Sequence, residues 1–287
     1  AFADALGAEA GELSATLASD NARPDVHLAA RPTAMTAAEL AEQVDGTVGR
    51  YSPYAVYLDG GDPGSLAPVR DGMALVQDEG SQLLGYLLEP KRGEMVVDFC
   101  AGAGGKTLLL GAMMRNTGRL YAYDVSDKRL ANLKPRLARS GLSNVHPVRI
   151  EHERDQKIKP LAGKADRVLF DAPCSGLGTL RPNPDLKWRQ DEASVAELTV
   201  KQASILDAAS TMVRPGGRLV YATCSLLTAE NDDIVTAFLA KHPDFTLVPA
   251  SAILAKQGIA FDGDILRLLP NQHNTDGFFA AALEKKA

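Results

Sequence analysis

Asp98-Phe99-Cys100-Ala101-Gly102-Ala103-Gly104-Gly105-Lys106-Thr107 is the stretch on which the fold of this 287-residue chain turns. Met95–Cys100 is a short apolar run that predicts a buried strand. The glycines behind it permit a tight turn and a close backbone approach to a ligand, and a helix is predicted from there through Met114. The same alternation continues downstream. Strands are predicted at Leu120–Asp124, Val145–Ile150, Arg167–Asp171, Arg218–Thr223, Phe245–Val248, Leu266–Leu269 and Phe278–Leu283. Helices are predicted at Ser126–Arg139, at about Ala193–Val213, and at Thr228–Lys241 with Thr228 as N-cap. Pro215-Gly216-Gly217 reads as a turn into the strand that follows it. Apolar strands alternating with helices mean a mostly parallel, doubly wound sheet covered on both faces, the Rossmann-like α/β class. Such sheets bind ligands at the carboxyl ends of their strands.

Upstream, residues 22–88 predict a small α/β subdomain. It comprises a strand at Val26–Ala30, a helix at Thr36–Val44, a strand at Val56–Leu58, and a helix at Asp78–Leu88 that stops before Pro90. Thr36 with Glu39 three residues on has the capping-box pattern. Residues 1–21 read as a leading helix, and residues 89–287 as the larger, chemical domain. The chain begins Ala1-Phe2-Ala3-Asp4 without a methionine or a basic leader, so it reads as an excised fragment with no signal peptide. No run of about 18 apolar residues is present, which argues against a membrane span. Three widely spaced cysteines argue against a disulfide framework and for a reducing, cytoplasmic setting. No Cys/His cluster has zinc-ligand spacing, so no metal is expected.

The net charge of −5 looks wrong for a nucleic-acid binder until it is divided. Residues 1–90 hold 14 acids against 4 Lys/Arg, a balance of −10, and the remainder holds 22 against 27, a balance of +5. The chemical half is therefore mildly basic, enough for modest local counterion release on RNA.

Asp124 lies 19 residues after Gly105, at the end of the second strand of the βα series, where an acid can accept both hydroxyls of a ribose. Gly102-Ala103-Gly104-Gly105-Lys106-Thr107 lacks the spacing of a P-loop, which excludes that kind of ATPase, and it lacks the GxGxxG opening usual for NAD. S-adenosylmethionine fits better, since it has no pyrophosphate to cradle. An ordinary strand-to-helix turn and a surface acid remain the plain alternatives for these residues. Lys106 either reaches a ligand or simply starts the helix.

Two of the cysteines stand at predicted strand ends, on the cleft side that also holds the glycine loop. They are Cys174 in Asp171-Ala172-Pro173-Cys174-Ser175-Gly176 and Cys224 in Tyr221-Ala222-Thr223-Cys224-Ser225. Cytosine C5 is barely nucleophilic. A thiolate that adds at C6 places electron density on C5, dividing one hard step into easier ones. The attacking thiol must be ionised. A contact to ring N3 would stabilise the adduct, and Asp171 is placed for it. Chemistry alone does not say which cysteine attacks. Cys100, within the first predicted strand, reads as a small buried apolar residue. Arg181, Lys187, Trp188 and Arg189 form a basic stretch with one aromatic. It is either an RNA-facing loop or a solvated charge cluster with a core-anchored Trp.

At Asp98–Thr107, Ala122–Leu130, Asp166–Arg189, Gly216–Asn231 and Asp276–Leu283 the chain resembles the Sun-type (Fmu/RsmB-like) RNA cytosine-C5 methyltransferases. The pairing of DAPCSGLGTLRPNPDLKWR with YATCS carries the resemblance. More loosely, Val76–Gln82 resembles part of the family's small α/β subdomain. The resemblance implies Cys224 as nucleophile and Cys174 as the thiol that assists release. It implies S-adenosylmethionine contacts from Cys100, Ala101, Gly102, Gly104, Gly105, Lys106, Asp124, Arg129, Asp155 and Asp171. It also implies small-subunit rRNA as substrate and a monomeric enzyme. Two departures bear on RNA affinity. Arg181-Pro182 stands where members usually carry Arg-Arg, and the leading helix looks like the remnant of an upstream helical RNA-binding domain. The competing readings are a tRNA cytosine-C5 methyltransferase and a cofactor-binding ribosome-assembly factor without turnover.

Overall fold

The computed structural model describes residues 11–287. The first half of the predicted leading helix, residues 1–10, lies outside the described residues; helix is present at Leu13–Ser19.

A four-stranded antiparallel sheet comes first: β1 (Val26–Ala30), β2 (Thr47–Val48), β3 (Ala55–Leu58) and β4 (Ala74–Val76), in the order β2-β3-β1-β4. The helix Ala37–Val44 covers it, burying Leu40 against Leu28, Val56 and Leu58. The capping box forms as predicted: Thr36 Oγ1 accepts the Glu39 N–H, and Glu39 accepts the Thr36 N–H at 2.7 Å. Strand β4 was not foreseen; three residues are too few to show alternation.

The main sheet has eight strands. They are β5 (Met95–Phe99), β6 (Arg119–Asp124), β7 (Val145–Arg149), β8 (Ala165–Asp171), β9 (Val213–Thr223), β10 (Phe245–Val248), β11 (Leu266–Leu268) and β12 (Phe278–Lys285). The path runs β10-β12-β9-β8-β5-β6-β7, with β11 paired to β12. Strands β5 to β9 are parallel to one another, and β12 runs antiparallel between β9 and β10.

Side chains alternate across the pleat, so each strand feeds two cores. Val96, Leu169, Val220 and Ala280 point to one face, where they meet the helices Glu79–Leu88, Gly105–Met113 and Asp127–Ser140. Val97, Val168, Phe170, Tyr221 and Phe279 point to the other, against Ile205, Leu206 and Met212 of the helix Glu192–Met212 and Phe238 of the helix Asp232–Lys241. In Glu79–Leu88, Leu83, Leu84, Leu87 and Leu88 are fully buried, each worth roughly 1.5–3 kcal/mol relative to exposure. This helix packs on both sheets.

Two expectations are corrected. The strand expected from Arg218 begins at Val213, so Pro215-Gly216-Gly217 is an irregularity inside it and not a turn before it. Thr228 does not cap a helix. It opens a short 3₁₀ turn, Thr228–Glu230, and the α-helix starts at Asp232 behind Asn231, because Glu230 is drawn inward by buried donors. The helix Ala250–Ala255 was not anticipated.

The carboxyl ends of β5, β6, β8 and β9 lie along one edge of the sheet, and antiparallel β12 brings its first residue, Phe278, to the same edge.

Candidate active site

The turn after β5 is built for close approach. Cys100 adopts φ +83°, Gly102 φ +58° and Gly104 φ +82°, values that L side chains rarely adopt. A Cβ on Gly104 would stand 2.1 Å from Leu133 Cδ1, so a side chain there would displace Leu133 as well as strain the backbone. A Cβ on Gly102 would meet nothing within 4 Å; its backbone faces open space, where a ligand could lie. The Cys100 and Ala101 N–H groups donate to the Tyr123 carbonyl at 3.0 and 2.9 Å. This brings the turn beside Asp124. There the Asp124 carboxylate accepts the Gly102 N–H and the Ser126 N–H, both at 2.8 Å, with Arg129 Nη1 at 3.8 Å. Each oxygen keeps a second lone pair for a hydroxyl donor.

Asp155 is set by its own turn, its carboxylate accepting the Glu151 N–H at 2.8 Å on one oxygen and the Lys157 N–H at 2.9 Å on the other. Those backbone donors hold its carboxyl below the usual carboxylate range.

The two singled-out thiols meet. Cys174 Sγ and Cys224 Sγ are 3.5 Å apart although 50 residues separate them in sequence. Both are partly exposed, and all three cysteines are free. The hydrogen bond to Cys224, with burial behind it, pushes the Cys174 thiol well above its ordinary value. Cys100 is also pushed up, by burial first and then by the nearby Asp124, Asp171 and Asp98. Beside the thiol pair, Lys106 Nζ binds Asp171 Oδ2 at 2.7 Å and lies 5.9 Å from the centre of the Phe278 ring. Burial acts to lower the Lys106 value, but the Asp171 charge and hydrogen bond outweigh it and the net direction is upward. Lys106, in the first turn of the helix Gly105–Met113, forms one unit with Asp171.

The basic stretch divides. Arg181 turns inward: Nη1 donates to Asn274 Oδ1 at 3.2 Å and Nη2 to the Thr275 carbonyl. Lys187 Nζ donates to Asn21 Oδ1 at 2.7 Å, and Arg189 pairs with Asp185 at 2.8 Å. Trp188 is 89% exposed, so it anchors no core. Among the described residues, no group of three or more His, Cys, Asp and Glu is arranged to hold a metal ion, and no helix is long and apolar enough to cross a membrane.

Residues 85–284 match the family model described as 16S rRNA methyltransferase RsmB/F. The chain belongs to this family. Rv1407 of Mycobacterium tuberculosis, which carries a provisional methyltransferase name, is 49% identical over 294 residues, covering 99% of this chain and 62% of its own length. The ribosomal RNA small subunit methyltransferase B of Salmonella newport is 37% identical over 237 residues, 82% of this chain and 52% of its own. The chain therefore spans less than two thirds of either relative's length. The crystal structure of PH0851 superposes with a TM-score of 0.88 at 32% identity, covering 98% of this chain and 64% of that one. The methyltransferase homologue from Pyrococcus horikoshii gives a TM-score of 0.81 at 25% identity, over 96% and 92%. The fold of this RsmB/F member is accordingly that of the class I S-adenosylmethionine-dependent methyltransferases.

Sequence reasoning passed over Asp98. It points to the same face as Val96, is 1% exposed, and accepts the Thr107 hydroxyl at 2.6 Å. Its other oxygen is buried without a partner. Burial pushes its carboxyl up to about 6, against the smaller opposing pull of Thr107 and Lys106. The only signal for it in sequence is an acid inside an otherwise apolar strand.

A raised value means that Asp98 favours folding at low pH and that this contribution is lost as pH rises through about 6. Asp98→Asn should therefore gain stability relative to the parent between pH 4 and pH 7, by on the order of 2–3 kcal/mol. Urea melts across that range check this; a flat difference would remove Asp98 as the titrating group.

Proposed function

We propose that this chain is the catalytic part of an RNA cytosine-C5 methyltransferase acting on small-subunit (16S) rRNA, with residues 89–287 as the catalytic unit and S-adenosylmethionine as cofactor. The observation that carries this reading is the 3.5 Å approach of Cys174 and Cys224 beside the Lys106–Asp171 pair, at the strand ends that also hold the glycine turn. Two thiols in contact suit a reaction in which one sulfur bonds a pyrimidine and the other helps it leave.

The residues present fit the cofactor. Gly102 leaves open backbone, Asp124 has lone pairs for a ribose, and Asp98 offers an unpartnered buried acceptor for a donor such as an amine. We assign Cys100, Ala101, Gly102, Gly104, Gly105, Lys106, Asp124, Arg129, Asp155 and Asp171 to that pocket; Asp155, like Asp124, keeps a second lone pair on each oxygen. When bound there, S-adenosylmethionine supplies the electrophilic methyl group that an activated C5 takes up.

The Cys224 thiolate adds to cytosine C6, and the C5=C6 electron pair moves onto C5. As the ring gains charge, N3 takes a proton from Asp171, which Lys106 resupplies across their 2.7 Å bond. After C5 is alkylated its proton passes to solvent, the C–H pair re-forms the double bond and the C6–S bond breaks. Cys174, protonated beside it, gives its proton to the departing Cys224 sulfur and regains one from solvent. The base must leave its stack to reach such a pocket, and exposed Trp188 with Lys187 and Arg189 offers a stacking and phosphate-binding surface for the displaced strand. The protein would work as a cytoplasmic monomer, without metal.

Incubation with unmodified small ribosomal subunits and tritiated methyl donor, followed by mass-spectrometric mapping, should place label at cytosine C5 in 16S rRNA. Label on tRNA alone would move the substrate. Donor binding with no transfer to either RNA would favour the assembly-factor reading.

A further inference from the structure

We infer that Glu230 is the positioning residue that holds the Cys174 turn against the Cys224 turn. The inference deepens the covalent mechanism proposed above and rests on it for its RNA-dependent readout.

Each of the two cysteines is followed by a serine, and the two serine hydroxyls face each other at 3.1 Å. Both donate to one oxygen of Glu230: Ser175 Oγ at 2.5 Å, with Ser225 Oγ joining it on Oε2. The other oxygen accepts the Ser175 N–H at 2.8 Å and Gln202 Nε2 at 2.9 Å. Gln202 Nε2 also donates to the Pro173 carbonyl at 3.0 Å, so the residue before Cys174 is tied to the same point. Glu230 itself is fixed from behind, because Tyr221 Oη donates to its carbonyl at 2.6 Å. Glu230, Ser175, Ser225, Gln202 and Tyr221 are all fully buried.

A carboxylate without a cation in such a place is costly, and among the described residues no ion pair reaches Glu230. Four converging donors offset that cost. A glutamine fits only by turning both serine hydroxyls into acceptors of its amide hydrogens, which exchanges short charge-assisted bonds for longer neutral ones. The carboxylate touches neither sulfur through a hydrogen bond; it acts through the serines.

The two turns depend on it unequally. The Cys174 side takes two direct bonds plus the Gln202 tie to Pro173, and among the described residues its one independent side-chain hold is Gln190 Nε2 on the Ser175 carbonyl at 3.0 Å. The Cys224 side takes one, and is held independently by Asn231 Nδ2 on the Ser225 carbonyl at 2.9 Å and by Thr223 Oγ1 on the Ser225 N–H at 3.2 Å. Removing the charge therefore loosens Cys174 while leaving Cys224 in place. Attack should persist and release should fail.

Glu230→Gln tests this with two readouts. Phenylarsine oxide, which bonds two thiols at once with loss of water, reads sulfur spacing in the protein alone. Its affinity should fall about tenfold in Glu230→Gln, as the effective concentration of one thiol at the other falls. With RNA and methyl donor, turnover should fall roughly 100-fold, as for a misplacement near 1 Å. Covalent protein–RNA adduct should rise above the parent level on denaturing gels. A purely structural role would lower adduct and turnover together, in proportion to the folded fraction. If Glu230→Gln does not fold, Ser175→Ala removes only the hydroxyl prong and should show the same direction at smaller size. Arsenical affinity equal to the parent's in the folded variant overturns the assignment. If Cys174→Ala also fails to build adduct, the covalent mechanism falls, and the arsenical measurement alone still decides the role of Glu230.

Discussion

Cys224→Ala is expected to lose methyl transfer by roughly 10⁴-fold or more, because the covalent route disappears outright and is not merely weakened. The fold should survive. Cys224 is only partly buried, and its turn is held by backbone and neighbouring side chains: the Gly178 N–H donates to the Cys224 carbonyl at 2.8 Å, and Asn231 holds the Ser225 carbonyl. Donor binding should survive as well, since the groups assigned to it, on the turn after β5, at Asp124 and Arg129 and at the Lys106–Asp171 pair, take no hydrogen bond from the Cys224 side chain. Calorimetric donor affinity close to the parent's, together with absent tritium transfer, is the expected pair of results. Transfer within tenfold of the parent would remove Cys224 as nucleophile.

Cys174→Ala should do something qualitatively different. Cys224 can still add to the ring, but the thiol 3.5 Å away that assists its departure is gone. Covalent protein–RNA adduct should then accumulate to a large fraction of the enzyme and be visible as a shifted band that ribonuclease removes. Its steady-state turnover should fall by about 10²-fold or more, as for loss of a positioned proton-transfer group. If the adduct forms in Cys224→Ala and is absent in Cys174→Ala, the two roles are exchanged.

The βα rhythm from Met95 onward is legible in the sequence because each strand is short, apolar and followed by a turn residue or an N-cap. The glycine turn is legible for a local reason too, three glycines directly behind an apolar run, whereas the Leu133 side chain close behind Gly104 appears only in the packed structure. The pairing of Cys174 with Cys224 could be expected from their places at strand ends, but their contact depends on β8 and β9 being neighbours in register. Glu230 was misread as part of a helix begun by Thr228. Its local pattern is that of a first helical turn, and what overrides it is two serines 55 and 5 residues away in the chain. Asp98 was quoted in the motif but given no role, since burial and a missing partner are properties of the packed state. Trp188 shows the limit from the other side, because sequence could not choose between an anchored indole and one that is 89% exposed.

The antiparallel strand β12 enters the main sheet between β9 and β10, and its first residue, Phe278, lies under the Lys106 ammonium. While the polypeptide is being translated, everything up to about residue 277 can emerge and the slot between those two strands still stands empty. Both neighbours of the slot keep unpaired edges until then, and pairings this distant in the chain form slowly. The pocket is therefore among the last parts of the molecule to close, so a nascent chain stalled short of Phe278 should expose sticky strand edges and do no chemistry.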